Sequence, residues 1–241
     1  LNDYYDKFYG PAAQPMKEHF KLLEKTFEEA DYFAGSTNDF NHILTKKVMQ
    51  QLEVLLKQAE AKVPADSVYA KRVDMIRTAF DFGDTFLEML EANCNFDFIK
   101  AKEKLDDVKE LSLKSISHSP VILYPYTQNF IQRFWGNKIN EGYQRVKDGN
   151  KIIAKLPDEW MAMLDPMGGG EELGLWKPTL GTESWMPLKT YSETWSSQGL
   201  RYYYGHMWYR TSIKIPKNYE GKPVRLWLSD IDEKAKVWVN G

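Results

Sequence analysis

Thirty-four acidic residues make close carboxylates inevitable, so only clustering is informative. The densest group is Asp230, Asp232 and Glu233. Two carboxyl groups about 5 Å or about 6.5–9.5 Å apart could hydrolyse a glycoside. The same hard oxygens gathered in one loop would suit a structural Ca²⁺. In a strand, Asp230 and Asp232 share a face. The plainer reading is an acidic turn between two strands, because Asp favours turns. No other cofactor is expected. The histidines are His19, His42, His118 and His206. None is paired at i,i+4 or in HExxH, so the sequence makes no case for zinc. Cys94 is the single cysteine, which excludes an internal disulfide. It has no neighbouring His or Lys to activate it, and reads as an inert thiol. There is no GxSxG elbow. Gly168-Gly169-Gly170 lacks the surroundings of a phosphate loop and reads as a surface loop.

A second cluster could bind without catalysing. A sugar site needs an aromatic face and a few convergent polar groups. Trp195, Tyr202, Tyr203, Tyr204 and His206 supply both within twelve positions. The ordinary alternative is packing, since aromatic rings supply much of any core. Aromatics are 14% of the chain and dense in its last third, with Trp176, Trp185, Trp195, Trp208, Trp227 and Trp238.

The elements that must position these residues fall into two grammars. Up to about 148 the period is helical. Met16, Phe20, Leu23, Phe27, Ala30 and Ala34 step by four and three, a single helical stripe. Gly35 is its expected stop. A second stripe runs from Leu44 to Ala59 and stops at Pro64. A third runs from Tyr69 to Leu90, with Asp66 or Ser67 as its cap. A fourth begins at Asp97 and ends near Leu111. A fifth covers Thr127 to about Val146, where Gly136 and Gly142 predict a kink or a break. Short polar links between such helices predict an antiparallel bundle.

From 149 onward the period is two. Lys151–Lys155 is a short strand candidate. Three alternating runs follow: Trp208–Ile215, Val224–Ser229 and Ala235–Asn240. Pro216 to Gly221, Asp230 to Glu233, and Asn240-Gly241 supply the turns. The expected fold class is α+β in two domains, 1–148 an α-helical bundle and 149–241 an antiparallel β-sandwich.

Net charge is −2, from 32 basic and 34 acidic residues, which gives no reason to expect nucleic acid or a membrane surface as partner. No apolar run approaches the roughly 18 residues of a membrane span. The chain opens on Leu1-Asn2-Asp3 without a signal peptide and stops at a turn signal. Both ends read as cuts in a longer polypeptide, leaving the sandwich incomplete.

The order WYR (208–210), an Ile-Pro turn, GKPVRLWL (221–228), an acidic turn and VWVNG (237–241) resembles the sugar-binding β-sandwich of glycoside hydrolase family two and related galactose-binding-like, jelly-roll domains. Trp185 to Leu188 and Trp195 to Gly199 match the segments that precede the WYR strand there. Tyr9-Gly10-Pro11-Ala12-Ala13 resembles the start of the helical region that follows the catalytic barrel in large bacterial α-glucuronidase-like and hexosaminidase-like hydrolases. The resemblance implies an accessory region whose catalytic acids sit in a barrel outside these residues. It also implies carbohydrate as partner, structural roles for Arg210 and Asn240, and a periplasmic or extracellular location. Two other functions stay open: a stand-alone carbohydrate-binding module, and a helical interaction domain with no sugar role.

Overall fold

The structure is a computed structural model and describes residues 2–31, 40–118, 129–228, 231 and 234–241. It is α+β and divides into two compact units, Leu1–Asn150 and Lys151–Gly241.

The first unit is helical: α1 (Asn2–Tyr9), α2 (Ala13–Glu28), the single turn α3 (Phe40–Ile43), α4 (Lys46–Lys62), α5 (Val68–Cys94), α6 (Phe98–His118) and α7 (Asn137–Lys147). Side chains fix several starts. Ser67 Oγ accepts from Ala70 N at 3.0 Å, so Ser67 and not Asp66 is the cap of α5. Asp97 Oδ1 accepts from Lys100 N at the start of α6. Glu88 pairs with Lys104 and Asp74 with Lys114, so numbering runs in opposite directions along α5 and α6. Lys46–Glu91 and Glu60–Arg77 give the same sense for α4 against α5.

Two apolar cores hold the unit together. One gathers Phe86, Met89, Leu105, Val108, Trp135 and Ile139 from α5, α6 and the region of α7. The other gathers Tyr9, Met16, Leu56, Ala59 and Val73. The α2 stripe is buried only at its start, at Met16; Phe27 is largely exposed, and α2 ends at Glu28, short of Ala30. Gly35 and Ala34 lie outside the described residues. Helix α1 sets Tyr4 with Phe8 and Tyr5 with Tyr9 at i,i+4 spacing, and Tyr9 inserts into the second core.

The fifth helical segment is interrupted at Gly136 but not at Gly142. Gln132–Gly136 forms a π-helical turn, and the α-helix resumes at Asn137. That wide turn carries Trp135 into the core, edge-on to Phe86 with ring centroids 4.9 Å apart. Gly142 breaks nothing. It is buried, and an added Cβ would lie 2.4 Å from the ring of Phe98. Gly142→Ala gains about 1 kcal/mol of helix propensity but meets an overpacking cost of about 1–3 kcal/mol. We expect net destabilisation of about 1–2 kcal/mol, read as a lower urea midpoint of the helical circular dichroism signal.

His19 is buried, with Nδ1 3.2 Å from the Leu52 carbonyl oxygen. Burial holds its pKa below the ordinary histidine value. A base depressed in the folded state contributes stability that is complete above the unfolded pKa, near 6.5. That stability is lost as pH falls from there through the folded value. The helical unit should therefore melt progressively lower below about pH 6.5, and His19→Gln should flatten that limb of the profile.

The second unit holds a three-stranded antiparallel sheet in the order β2-β1-β3. Its strands are β1 (Glu159–Asp165), β2 (Met186–Lys189) and β3 (His206–Arg210). Trp160 faces Leu188 and Ala162 faces Tyr209, so these four share one side; Asp165, Trp208 and Arg210 share the other. Lys151–Lys155 is not a strand, and Glu159–Asp165 is. The latter does not alternate cleanly, and pairing on both edges decides its state against weak propensity. The first alternating run is strand only as far as Arg210. Residues 224–228 and 235–239 lie outside any strand. A strand needs a lateral partner, and alternation alone supplies none.

Candidate functional site

The chemistry of the sheet is concentrated in two aspartates and one arginine. Asp165 ends β1 and is buried. Its Oδ1 accepts from Gly169 N at 3.0 Å, and its Oδ2 from Gly170 N at 2.8 Å and Trp208 Nε1 at 2.9 Å. The bond from Trp208, joined by the loop amides, holds the carboxyl below the ordinary aspartate range. Gly170 is required here: a Cβ would lie 2.1 Å from Trp208 Nε1. Gly169 and Gly170 therefore form a folded cradle around a carboxylate within the predicted surface loop.

Asp158 precedes β1 and does the same for the loop after β2. Its Oδ1 accepts from the amides of Thr190, Tyr191 and Ser192, and its Oδ2 from Ser192 Oγ. Burial opposes ionisation, but the Ser192 hydroxyl and the three amides outweigh it and lower the pKa. Arg210 donates to the carbonyls of Leu175, Lys177 and Leu180 and lies over the Trp185 ring. It organises residues 175–180 and is occupied in doing so.

Of the predicted sugar cluster, Trp195 and Tyr203 come together, with ring centroids 5.7 Å apart. Trp195 Nε1 donates to Tyr209 Oη. Burial raises the Tyr209 pKa, with the Trp195 bond opposing, so its hydroxyl stays protonated at neutral pH. Tyr203 Oη accepts from Asp165 N and donates to the His206 carbonyl. These two rings thus anchor residues 199–205. Tyr202 and Tyr204 point away, 82% and 88% exposed, and His206 is exposed as well. Asn240 is exposed, with φ +61°.

Asp230, Asp232 and Glu233 lie outside the described residues. Among the described residues, no three His, Cys, Asp or Glu side chains are arranged to hold a metal ion. A hollow at the α4–α5 turn is lined by Glu60, Val63, Ala65, Ala70, Val73 and Asp74. Arg77 engages Glu60 and Lys114 lies 3.6 Å from Asp74, so both carboxyls are compensated. No described helix is long and apolar enough to cross a membrane.

Sequence reasoning missed Asp158 and Asp165. Asp158 reaches across 32 residues and leaves no local sign. Asp165 does leave one: an aspartate followed by Pro166 and glycines at 168–170 is the composition of a side-chain-closed turn.

Comparison with known proteins finds a partial similarity to a carbohydrate-active enzyme. One relative is a β-glucuronidase from Paenibacillus borealis, 29% identical over 90 residues. The match covers 37% of this chain and 15% of the relative, so the chain corresponds to a small part of that protein's length. No known family profile matches, and no solved structure does.

Proposed function

We propose that these residues are a non-catalytic accessory region of a larger glycoside hydrolase acting on carbohydrate. In this reading residues 1–148 form the helical region that follows a catalytic barrel of the same polypeptide. Residues 149–241 belong to a galactose-binding-like β-sandwich, and the parent protein works in the periplasm or outside the cell. The observation that carries the proposal is the β-glucuronidase similarity, confined to a small fraction of that protein. Two features support it. Asp158 and Asp165 are held ionised by several donors each, which suits a scaffold and disqualifies them as proton donors. The aliphatic side chains of the two later alternating runs, Val224, Leu226, Val237 and Val239, are exposed and could pack against a further layer. Reading the gene on either side of these residues tests the architecture. An alternating strand–helix pattern upstream and further short strands downstream would support it. Flanking sequence without either would overturn it.

A second reading, intrinsic carbohydrate binding, is favoured by the exposed Tyr202 and Tyr204 beside the anchored Trp195 and Tyr203. Titrating oligosaccharides against tryptophan fluorescence tests it. Saturable quenching lost in Tyr202→Ala or Tyr204→Ala supports binding. No response across neutral and acidic sugars leaves the sheet a scaffold.

A further inference from the structure

Residues 234–241 lie against the sheet without joining it. Among the described residues, no backbone hydrogen bond ties 234–241 to the rest of the unit. Side chains hold the run in place. The Trp238 indole stacks on Trp208, with centroids 5.1 Å apart and 29° between planes. Lys236 Nζ pairs with Glu171, and both side chains are at least half exposed. An exposed pair contributes little, so the indole stack is the main fastening.

The two rings differ in rigidity. Trp208 stands on β3, hydrogen-bonded to buried Asp165 and packed over Gly170. Trp238 is carried by a segment without a ladder, whose Val237 and Val239 are 53% and 74% exposed. Few buried apolar contacts and no ladder mark a segment that opens at low free-energy cost. We propose that residues 234–241 are a strap latched by Trp238, and that its release is a local event that uncovers the Trp208 indole face while the sheet stays folded. Trp238 is then an internal competitor: a ring that stacks on Trp208 must first displace it. This inference does not depend on the accessory-region reading.

Limited trypsinolysis of the intact chain under native conditions, resolved by mass spectrometry, tests it. Cleavage after Lys234 and Lys236 should run well ahead of cleavage after Lys189 in β2 and Arg210 in β3. Trp238→Ala should speed strap cleavage by about two- to tenfold, the population change expected from losing one aromatic pair. Trp238→Phe, which keeps a stacking ring, should return the rate close to that of the parent. Neither change should alter cleavage at Lys189 or Arg210. Equal rates at all four sites, or a strap rate indifferent to Trp238→Ala, would overturn the latch. So would Trp238→Ala accelerating cleavage inside the sheet, since the run would then belong to its core.

Discussion

Asp165→Ala is expected to destabilise the sheet unit by about 2–4 kcal/mol, a large effect for one carboxylate. The change strands three donors at once: the amides of Gly169 and Gly170 and the Trp208 indole N–H. A buried donor left without a partner costs about 1–3 kcal/mol. Gly170 is buried, whereas Gly169 and Trp208 are half-buried and regain some solvation, which keeps the total below the simple sum. Asp165→Asn preserves shape but points an amide N–H₂ at donors, and should fall between alanine and parent. The carboxyl is depressed in the folded state, so its contribution is complete above the unfolded aspartate value, near pH 3.9, and is lost as pH falls through the folded one. The parent should weaken along that limb and both variants should lack this component. Seven of the eight tryptophans lie in 151–241 and only Trp135 lies outside, so indole fluorescence reports this unit while helical circular dichroism reports the other.

Arg77→Leu is expected to cost the helical unit about 2–3 kcal/mol. The guanidinium donates to both oxygens of Glu60 and to Glu53, spanning α4 and α5. Its side chain is only 15% exposed. Removing one partner of a fully buried ionic group costs about 3–5 kcal/mol, mostly from the charge left behind. Glu53 and Glu60 are 27% and 38% exposed, so water recovers part of that penalty. Arg77→Lys keeps the charge but loses the planar fork, and should cost about 1 kcal/mol. Arg77 is also among the groups that lower the Glu53 pKa against burial. Stability from this source is complete above the unfolded glutamate value and is lost as pH falls through the folded one, so the cost of Arg77→Leu should shrink in acid. Urea unfolding followed by helical circular dichroism at pH 7 and pH 3 measures both.

The helical unit was largely legible because its signals are local. The stripes of α4, α5 and α6, the Ser67 cap and the Asp97 start each span a few residues and recur in the structure. The packing of Tyr9 was not legible, since it depends on a core built from α2, α4 and α5. Gly142 was misread for the same reason: its role is set by Phe98, 44 positions away. In the second unit β1 was invisible because Trp160, Met161, Ala162 and Met163 do not alternate, and its state rests on two partners distant in sequence. The runs at 224–228 and 235–239 show the converse, a clear period without a ladder. The aromatic cluster was legible as a group but not by role: Trp195 and Tyr203 are spent on Tyr209 and Asp165, while Tyr202 and Tyr204 face outward.

In the proposed role these residues serve a glycoside hydrolase without performing its chemistry. The direct measurement is hydrolysis by the purified chain of a panel of aryl-glycosides that includes a β-glucuronide. Release indistinguishable from the uncatalysed rate is expected for every substrate. Saturable turnover that copurifies with the chain and disappears on substitution of one of its own carboxylates would contradict it.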